Sequence, residues 1–477
     1  MTLSPTGAVA AGASWRVDGG AWQPNGGMVW NLSNGNHTAS FMPVKGWRAP
    51  DDQIINVGTN FITSAAASYF ALPGGPSQPA FQVLHTFSGG DGSQPWSPLI
   101  LCGNTLYGTT TGGGSSGQGV TFAVNTDGTA FTNLYSFANG GGCYAGLTQF
   151  GDILYGTTLG SVFKINLDGT GFANICSSNI DQSYASVLVA GNTLYGTTRL
   201  GGAHNVGAVF AVNTDGTGFT NLYSFTGYLD GQQPYSGLAL AGATLYGFTF
   251  EGYPAGSPFA IQTNGAGFTN FPDNGYFRGN AILSSNILYT TGNYGVFKIN
   301  TDGTGFAALG GSDCWGGVIL AGHTLYGTRE QGGSSASQNN YGYGAVFAIR
   351  TDGSGYTNLY NFTSGSDGGM PEASLLLSET TLFGTAPIGG TNGNGVVYML
   401  TFPPPQLTVQ PAGTNVILSW LDGVSGAGYD LFAVQTATNL TPPVIWNTLP
   451  TAPVSVNGWN TVTNPASATP IFYRLSQ

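Results

Sequence analysis

Apolar and polar positions alternate with period two in short runs across residues 81–402, and Gly-rich turns separate the runs. The clearest run is Leu106-Tyr107-Gly108-Thr109. Six further versions open at Leu154, Leu194, Leu245, Leu288, Leu325 and Leu382. A second run, best seen as Val209-Phe210-Ala211-Val212-Asn213-Thr214-Asp215-Gly216, is interleaved with the first at residues 120–128, 162–169, 209–216, 258–265, 296–303 and 346–353. Period two with β-branched and aromatic residues between Gly-rich turns predicts strands and excludes helical repeats.

The stretch from Trp96 to Phe137 reads as one complete unit. Apolar Leu99 to Cys102 meets Gly103-Asn104, a pair suited to a tight hairpin, and Thr105 to Thr110 alternates back. After a Gly/Ser loop, Val120 to Asn125 predicts a third strand, Asp127-Gly128 a second tight turn, and Phe131 to Phe137 a fourth strand. The unit averages about 46 residues over 81–402, within the roughly 40–50 of propeller blades. The run Phe81 to Phe87 matches a fourth strand, and Gly395 to Leu400 is a third strand with no fourth behind it. Pairing the two would close the ring and leave no open sheet edge. The predicted fold is therefore all-β: a seven-bladed β-propeller over 81–402, closed by strand 81–87.

The combination of Leu-Tyr-Gly-Thr-Thr, a Gly-Gly loop, Val-Phe, Asp-Gly-Thr, Tyr-Ser-Phe and Asp-Gly-x-x-Pro resembles the Gloeo/Verruco tandem-repeat family of large exported bacterial proteins. The resemblance covers 81–402, and implies a propeller and export but no reaction. The fifth repeat departs from it, with Leu288-Tyr289-Thr290-Thr291 and no Asp-Gly-x-x-Pro, so an irregular blade is expected there. Residues 1–72, with Trp15-Arg16-Val17-Asp18-Gly19-Gly20 and Asn36 to Phe41, predict a small β-sandwich that resembles PEGA-like modules. Residues 73–80 form a Pro/Gly-rich linker. Beyond Pro403-Pro404-Pro405, residues 403–477 predict a fibronectin-like β-sandwich with Trp420 in its core.

Composition narrows the function. Only 6% of residues are charged and the net charge is −11, with three Lys and seven Arg. No basic stripe exists to displace counterions from phosphates, so nucleic acid is not an expected partner. No apolar run is long enough to span a bilayer, so direct membrane insertion is not expected either. The start at Met1 lacks the pattern of a signal peptide, and an extracellular or cell-surface location is expected from the repeat resemblance. Cys102, Cys143, Cys176 and Cys314 show no paired spacing, which implies neither a disulfide framework nor a zinc site.

Variable loops on a rigid scaffold are where binding usually resides, and here they follow each Leu-Tyr-Gly-Thr and precede each first strand. Ten residues before each motif Leu stand Trp96, Tyr144, Tyr184, Tyr235, Arg278, Trp315 and Glu372. Five aromatics, a cation and an anion at equivalent positions predict a ring around the channel mouth. Such faces suit sugars, or simply pack against the neighbouring blade. Asp127, Asp168, Asp215, Asp302 and Asp352 are assigned to hairpin turns. Asp91, Asp230 and Asp367 are weighed as calcium ligands, but they never cluster as in a calcium loop; no cofactor is expected. His37, His85, His204 and His323 are too scattered for a metal site. Glu251, Glu330, Glu372, Arg199 and Arg329 fall on the variable face, without a motif that brings two carboxylates together. Three readings follow. The first is a non-enzymatic surface protein whose propeller mediates adhesion, or assembly with itself head to tail. The second is a surface-glycan binder using the aromatic ring, and the third a carbohydrate-active hydrolase or lyase.

Overall fold

The computed structural model describes residues 1–477 except 5–8, 10–11, 43–46, 49–51, 59–64, 69, 72–78, 139–141, 178–179, 253–254, 272–274, 334–341, 425–426, 457 and 468. Most of the expected linker, 73–78, lies outside the described residues. The chain is all-β. A 3-10 turn spans Tyr429–Leu431, and among the described residues no helix is long and apolar enough to cross a membrane. Contacts divide the chain into two units, one of residues 1–78, 405–421 and 450–471, the other of 79–404, 422–449 and 472–477.

The second unit contains seven four-stranded antiparallel sheets in sequence order. In the first, Ile100–Cys102, Thr105–Thr109, Val120–Asn125 and Thr132–Ser136 pair as a meander. Five sheets of the same order follow, over 148–176, 188–224, 239–270, 282–310 and 319–361. The seventh draws three strands from 376–401 and takes its fourth from Ala80–Thr86, with Val396 opposite Thr86 and Leu400 opposite Phe81. The fifth repeat, expected to be irregular, forms a four-stranded sheet like the others.

Strand alternation explains each letter of the repeated motif. All seven motif Leu side chains are completely buried. The residue that follows points to the opposite face and packs into the next sheet: Tyr107 lies with Leu147, Leu154 and Phe163 of the second sheet, and Tyr155 with Leu194 and Phe210 of the third. Phe383 of the seventh sheet lies with Leu106 and Phe122 of the first, so the succession of cores returns to its start. Glycine at the third position makes room for a ring: a Cβ on Gly108 would stand 2.6 Å from Phe122 Cζ and 2.8 Å from Leu99 Cδ2.

The motif Thr is a latch between sheets. Thr109, Thr157, Thr197, Thr291, Thr328 and Thr385 each donate from Oγ1 to a backbone carbonyl just before the first strand of the next sheet: Ala145, Ala185, Ser236, Gly316, Ala373 and Ser97. Each acceptor stands nine residues before a motif Leu, and Thr385 to Ser97 links the last sheet to the first. The fourth motif has Phe248 instead of Thr, which packs 5.1 Å from Phe277 and donates nothing from its side chain. The carbonyl it leaves, Gly279, is capped from within the fifth sheet by Thr290 Oγ1 at 2.8 Å. Thr290 stands where the motif has Gly. Two departures from the repeat therefore compensate one another.

Recurrent carboxylates of the repeat serve local structure. Asp127 Oδ1 accepts from the Thr129 amide and hydroxyl, and Asp168, Asp215 and Asp302 repeat the arrangement with Thr170, Thr217 and Thr304. Asp230 accepts from Tyr223 Oη and from the amide and hydroxyl of Thr226, and Asp367 does the same with Tyr360 and Thr363. Asp91 accepts from Ser88 and faces His85 Nε2 at 3.0 Å. These three carboxylates tie a fourth strand to the loop after it, and among the described residues no His, Cys, Asp and Glu group has a metal-binding arrangement. All four cysteines are free thiols.

In the first unit, Gln23–Pro24, Ser14–Val17, Gly35–Phe41 and Gln53–Val57 form a four-stranded sheet over a core of Leu3, Trp15, Val17, Ala39 and Phe41. A second four-stranded sheet in this unit pairs Thr408–Ala412, Asn415–Leu421, Trp459–Pro465 and Val454–Val456, with Trp420 fully buried. The C-terminal residues of the second unit add a three-stranded sheet and a polar anchor on the sixth sheet. Arg350 donates to the buried carboxylate of Asp422, Thr324 to Asp430, and Tyr326 Oη to Gly423 O at 2.7 Å.

Candidate functional site

The seven residues ten positions before the motif Leu line one cavity of about 350 Å³. Each sheet contributes one: Trp96, Tyr144, Tyr184, Tyr235, Arg278, Trp315 and Glu372 in order. Their exposure follows the strand period. The seven are half-buried, whereas the next residues along, Ser97, Ala145, Ala185, Ser236, Gly279, Gly316 and Ala373, are buried between sheets. It is the carbonyls of this small-residue row that the Thr latches and Thr290 hold, so the motif fixes the backbone beside every cavity residue.

A turn aims the side chains. Gln94, Gln182, Gln233, Asp313 and Met370, each two residues before a ring position, adopt left-handed backbone with φ between 51° and 55°. Non-glycine residues rarely do so, and such conformations are held only where the surroundings impose them. At four of these turns the residue's carbonyl accepts an amide from beyond the neighbouring motif: Thr111 to Gln94, Arg199 to Gln182, Phe250 to Gln233 and Glu330 to Asp313.

Contacts run from ring to ring along the wall. The Tyr144 and Tyr184 centroids are 4.9 Å apart, and those of Tyr184 and Tyr235 5.1 Å. Arg278 continues the series, with its guanidinium carbon 5.3 Å from the Tyr235 ring, 4.6 Å from Phe250 and 3.7 Å from Trp315. Two positions further along the chain, just before each first strand, Pro98, Gly146, Ser186, Asn280, Gly317 and Ser374 also line the cavity. The aromatic rim thus stands over a row of small and polar groups. Ser186, Asn280 and Ser374 border a second cavity of about 260 Å³, otherwise lined mainly by apolar residues such as Leu188, Leu238 and Ile282.

The charged members sit in a dry setting. Burial pushes the Glu372 carboxyl up to about 8; Glu330 raises it further and Arg278 opposes the rise. Burial also raises Glu330, with Arg278 opposing and Asp313 adding. Burial lowers Arg278, against the attraction of Tyr235, Glu372 and Glu330. Among the described residues the ion pairs are His37–Asp18, His85–Asp91 and Arg350–Asp422, so Arg278 and Glu372 do not meet as a salt bridge. Arg278 Nε, Trp315 Nε1 and Glu330 Oε2 are buried without a hydrogen-bond partner.

Sequence reasoning put Arg199 and Glu330 on the variable face but did not see the register they share with Phe250, five positions after the motif Leu. Arg199 donates to Gln182 Oε1 and Gln233 Oε1 and lies 5.4 Å from the Tyr235 ring. The signal was present in the sequence, two residues beyond each motif Thr, but the residue type there changes from repeat to repeat, Thr111, Leu159, Asn293 and Pro387 filling the other four places.

No family model and no curated protein matches the chain. Solved structures resemble it distantly. The extracellular domain of a hybrid two-component system from B. thetaiotaomicron is 10% identical, with a TM-score of 0.49 over 72% of this chain and 46% of that one. BamB from Moraxella catarrhalis is 12% identical, with a TM-score of 0.39 over 64% of this chain and 81% of that one. An oligogalacturonate lyase in complex with manganese is 11% identical, with a TM-score of 0.40 over 63% and 86%.

Proposed function

We propose that the chain is an exported, non-enzymatic protein of the Gloeo/Verruco repeat type, a seven-bladed β-propeller flanked by two β-sandwiches, that adheres to surface glycans through the mouth of its channel. One observation carries the reading: seven residues at a single register, one from each sheet, line one cavity. Its volume of about 350 Å³ falls at the lower end of the roughly 300–1,000 Å³ of small-molecule sites. Aromatic faces above small and polar groups match a sugar, whose apolar ring faces stack while its hydroxyls seek hydrogen bonds. No metal or cofactor enters the proposal. Head-to-tail self-association is the separate expectation for the end modules, and sedimentation at rising concentration tests it.

A glycan array on the full chain, followed by titration of any hit against tryptophan fluorescence, tests the main reading. Trp96→Ala and Trp315→Ala are expected to weaken binding about tenfold or more each, as losing a central aromatic anchor does, with the thermal midpoint little changed. Unchanged affinity in both variants would make the ring a packing feature. A second reading draws on the Glu372 and Glu330 carboxyls: a neutral acid beside a second carboxyl is the equipment of glycoside cleavage. Turnover of a bound glycan that disappears in Glu372→Gln would support it.

A further inference from the structure

We propose that the sugar taken by this cavity is acidic, and that Arg278 is the group that receives its carboxylate. The inference rests on the glycan reading above. It begins from what Arg278 lacks. In the seven-sheet unit, Arg199 donates to two Gln side chains, Arg329 to Gln331 O, Arg350 to Asp422 and Arg474 to Gln435. Among the described residues nothing accepts from the Arg278 guanidinium, and its Nε is shielded from water.

The neighbours of Arg278 explain how it remains there and what it still needs. Trp315, Phe250 and Tyr235 surround it at 3.7, 4.6 and 5.3 Å. Aromatic faces attract the cation and offset part of its desolvation. They offer no lone pair to the N–H groups, which radiate in the guanidinium plane. A carboxylate is the planar acceptor that fits this fork bidentately.

The protein does not supply that carboxylate. Glu372 and Glu330, the acids that act electrostatically on Arg278, are not within ion-pair distance of it, and both are held toward the neutral form by burial. A protonated Glu372 can itself donate to a ligand oxygen. Asn280, Ser186 and Ser374 stand two residues after the ring positions and provide amide and hydroxyl partners for neutral sugar groups.

The test uses the full chain and two probes, a glucuronic acid oligosaccharide and its methyl ester, which keeps the shape and removes the charge. Binding is read by tryptophan fluorescence at low and at high salt. The acid is expected to bind about tenfold to a hundredfold tighter than the ester, the range of a charge-assisted hydrogen-bonded pair. Arg278→Gln is expected to abolish that preference by weakening the acid far more than the ester, and Arg278→Lys to restore part of it. Equal affinity for acid and ester, or a preference that survives Arg278→Gln, overturns the assignment while the glycan site stands. If neither probe binds and the glycan array is blank, the glycan reading fails and takes this one with it.

Discussion

The burial of Glu372 has a consequence for stability that can be measured without a ligand. Its carboxyl rises from the ordinary value of 4.5 to about 8 in the folded protein. The unfolded chain releases this proton near pH 4.5, whereas the folded chain keeps it until about pH 8. Between those values the folded state binds more protons, so stability falls as pH rises through the window and levels off above it. At 1.36 kcal/mol per unit the whole shift corresponds to about 5 kcal/mol. Residual water contact at a half-buried side chain reduces this, to about 2–5 kcal/mol after screening. Glu372→Gln keeps the shape of the neutral acid and cannot ionise. The variant is expected to match the parent near pH 4.5 and to exceed it at pH 9, by about 3–6 °C in calorimetric midpoint for a cooperative unit of this size. Groups remote from the ring titrate alike in both proteins, so the difference between them reports Glu372 together with its coupling to Glu330 and Arg278. A difference that stays constant within a degree from pH 4.5 to pH 9 would show that the carboxyl is solvated, and the dry setting of the ring would fall with it.

Two further perturbations probe the scaffold. Thr290→Gly removes the hydroxyl that caps the Gly279 carbonyl and is expected to cost about 1–3 kcal/mol, the penalty of an unsatisfied buried acceptor. Phe248→Thr costs about 3–5 kcal/mol through lost packing, but in the double variant the hydroxyl introduced at position 248 can donate to Gly279 O as its six counterparts do to theirs. The double-mutant cycle should therefore show a favourable coupling of about 1 kcal/mol in chemical denaturation, and strict additivity would refute the compensation. Asp422→Asn leaves Arg350 facing a neutral, almost wholly buried partner and is expected to destabilise by about 3–5 kcal/mol, measured as a lower denaturation midpoint. Rescue by the additional change Arg350→Met would show that the loss came from the unpaired charge rather than from altered shape.

Much of the sheet pattern was legible because a period of two leaves little freedom once a repeat fixes its phase. Leu106 and Gly108 must share one face and Tyr107 and Thr109 the other, and the same phase counted back ten residues gathers Trp96, Tyr144, Tyr184, Tyr235, Arg278, Trp315 and Glu372 at one cavity. The borrowed strand Ala80–Thr86 was legible for a related reason: a third strand at the C-terminal end lacked its neighbour. Less of the site could be read. Phe250 and Glu330 follow the motif in loops of unequal length, and the bonds that Asp91, Asp230 and Asp367 make to Ser88, Thr226 and Thr363 are not readable from spacing. The protonation of Glu372 depends on burial and on Glu330 from another sheet, which strand periodicity does not encode.

The departures from the repeat are not scattered at random around the succession of sheets. Phe248 replaces a latch in the fourth, Thr290 replaces a glycine in the fifth, and the fifth also carries Arg278 where five of the other six sheets have an aromatic residue, and Asn280 where all six have Pro, Gly or Ser. A scaffold of equivalent units presents equivalent walls and cannot orient an asymmetric ligand. Discrimination requires that some units break the pattern, and local rule-breaking that is structurally compensated is the signature of such a place. Here the compensation is visible, because Thr290 restores the hydrogen bond that Phe248 gave up. The same exchange places Phe248 against Phe277, the residue directly before Arg278. The fifth sheet thus keeps the hydrogen bonding of its neighbours while setting a cation among Tyr235, Phe250 and Trp315.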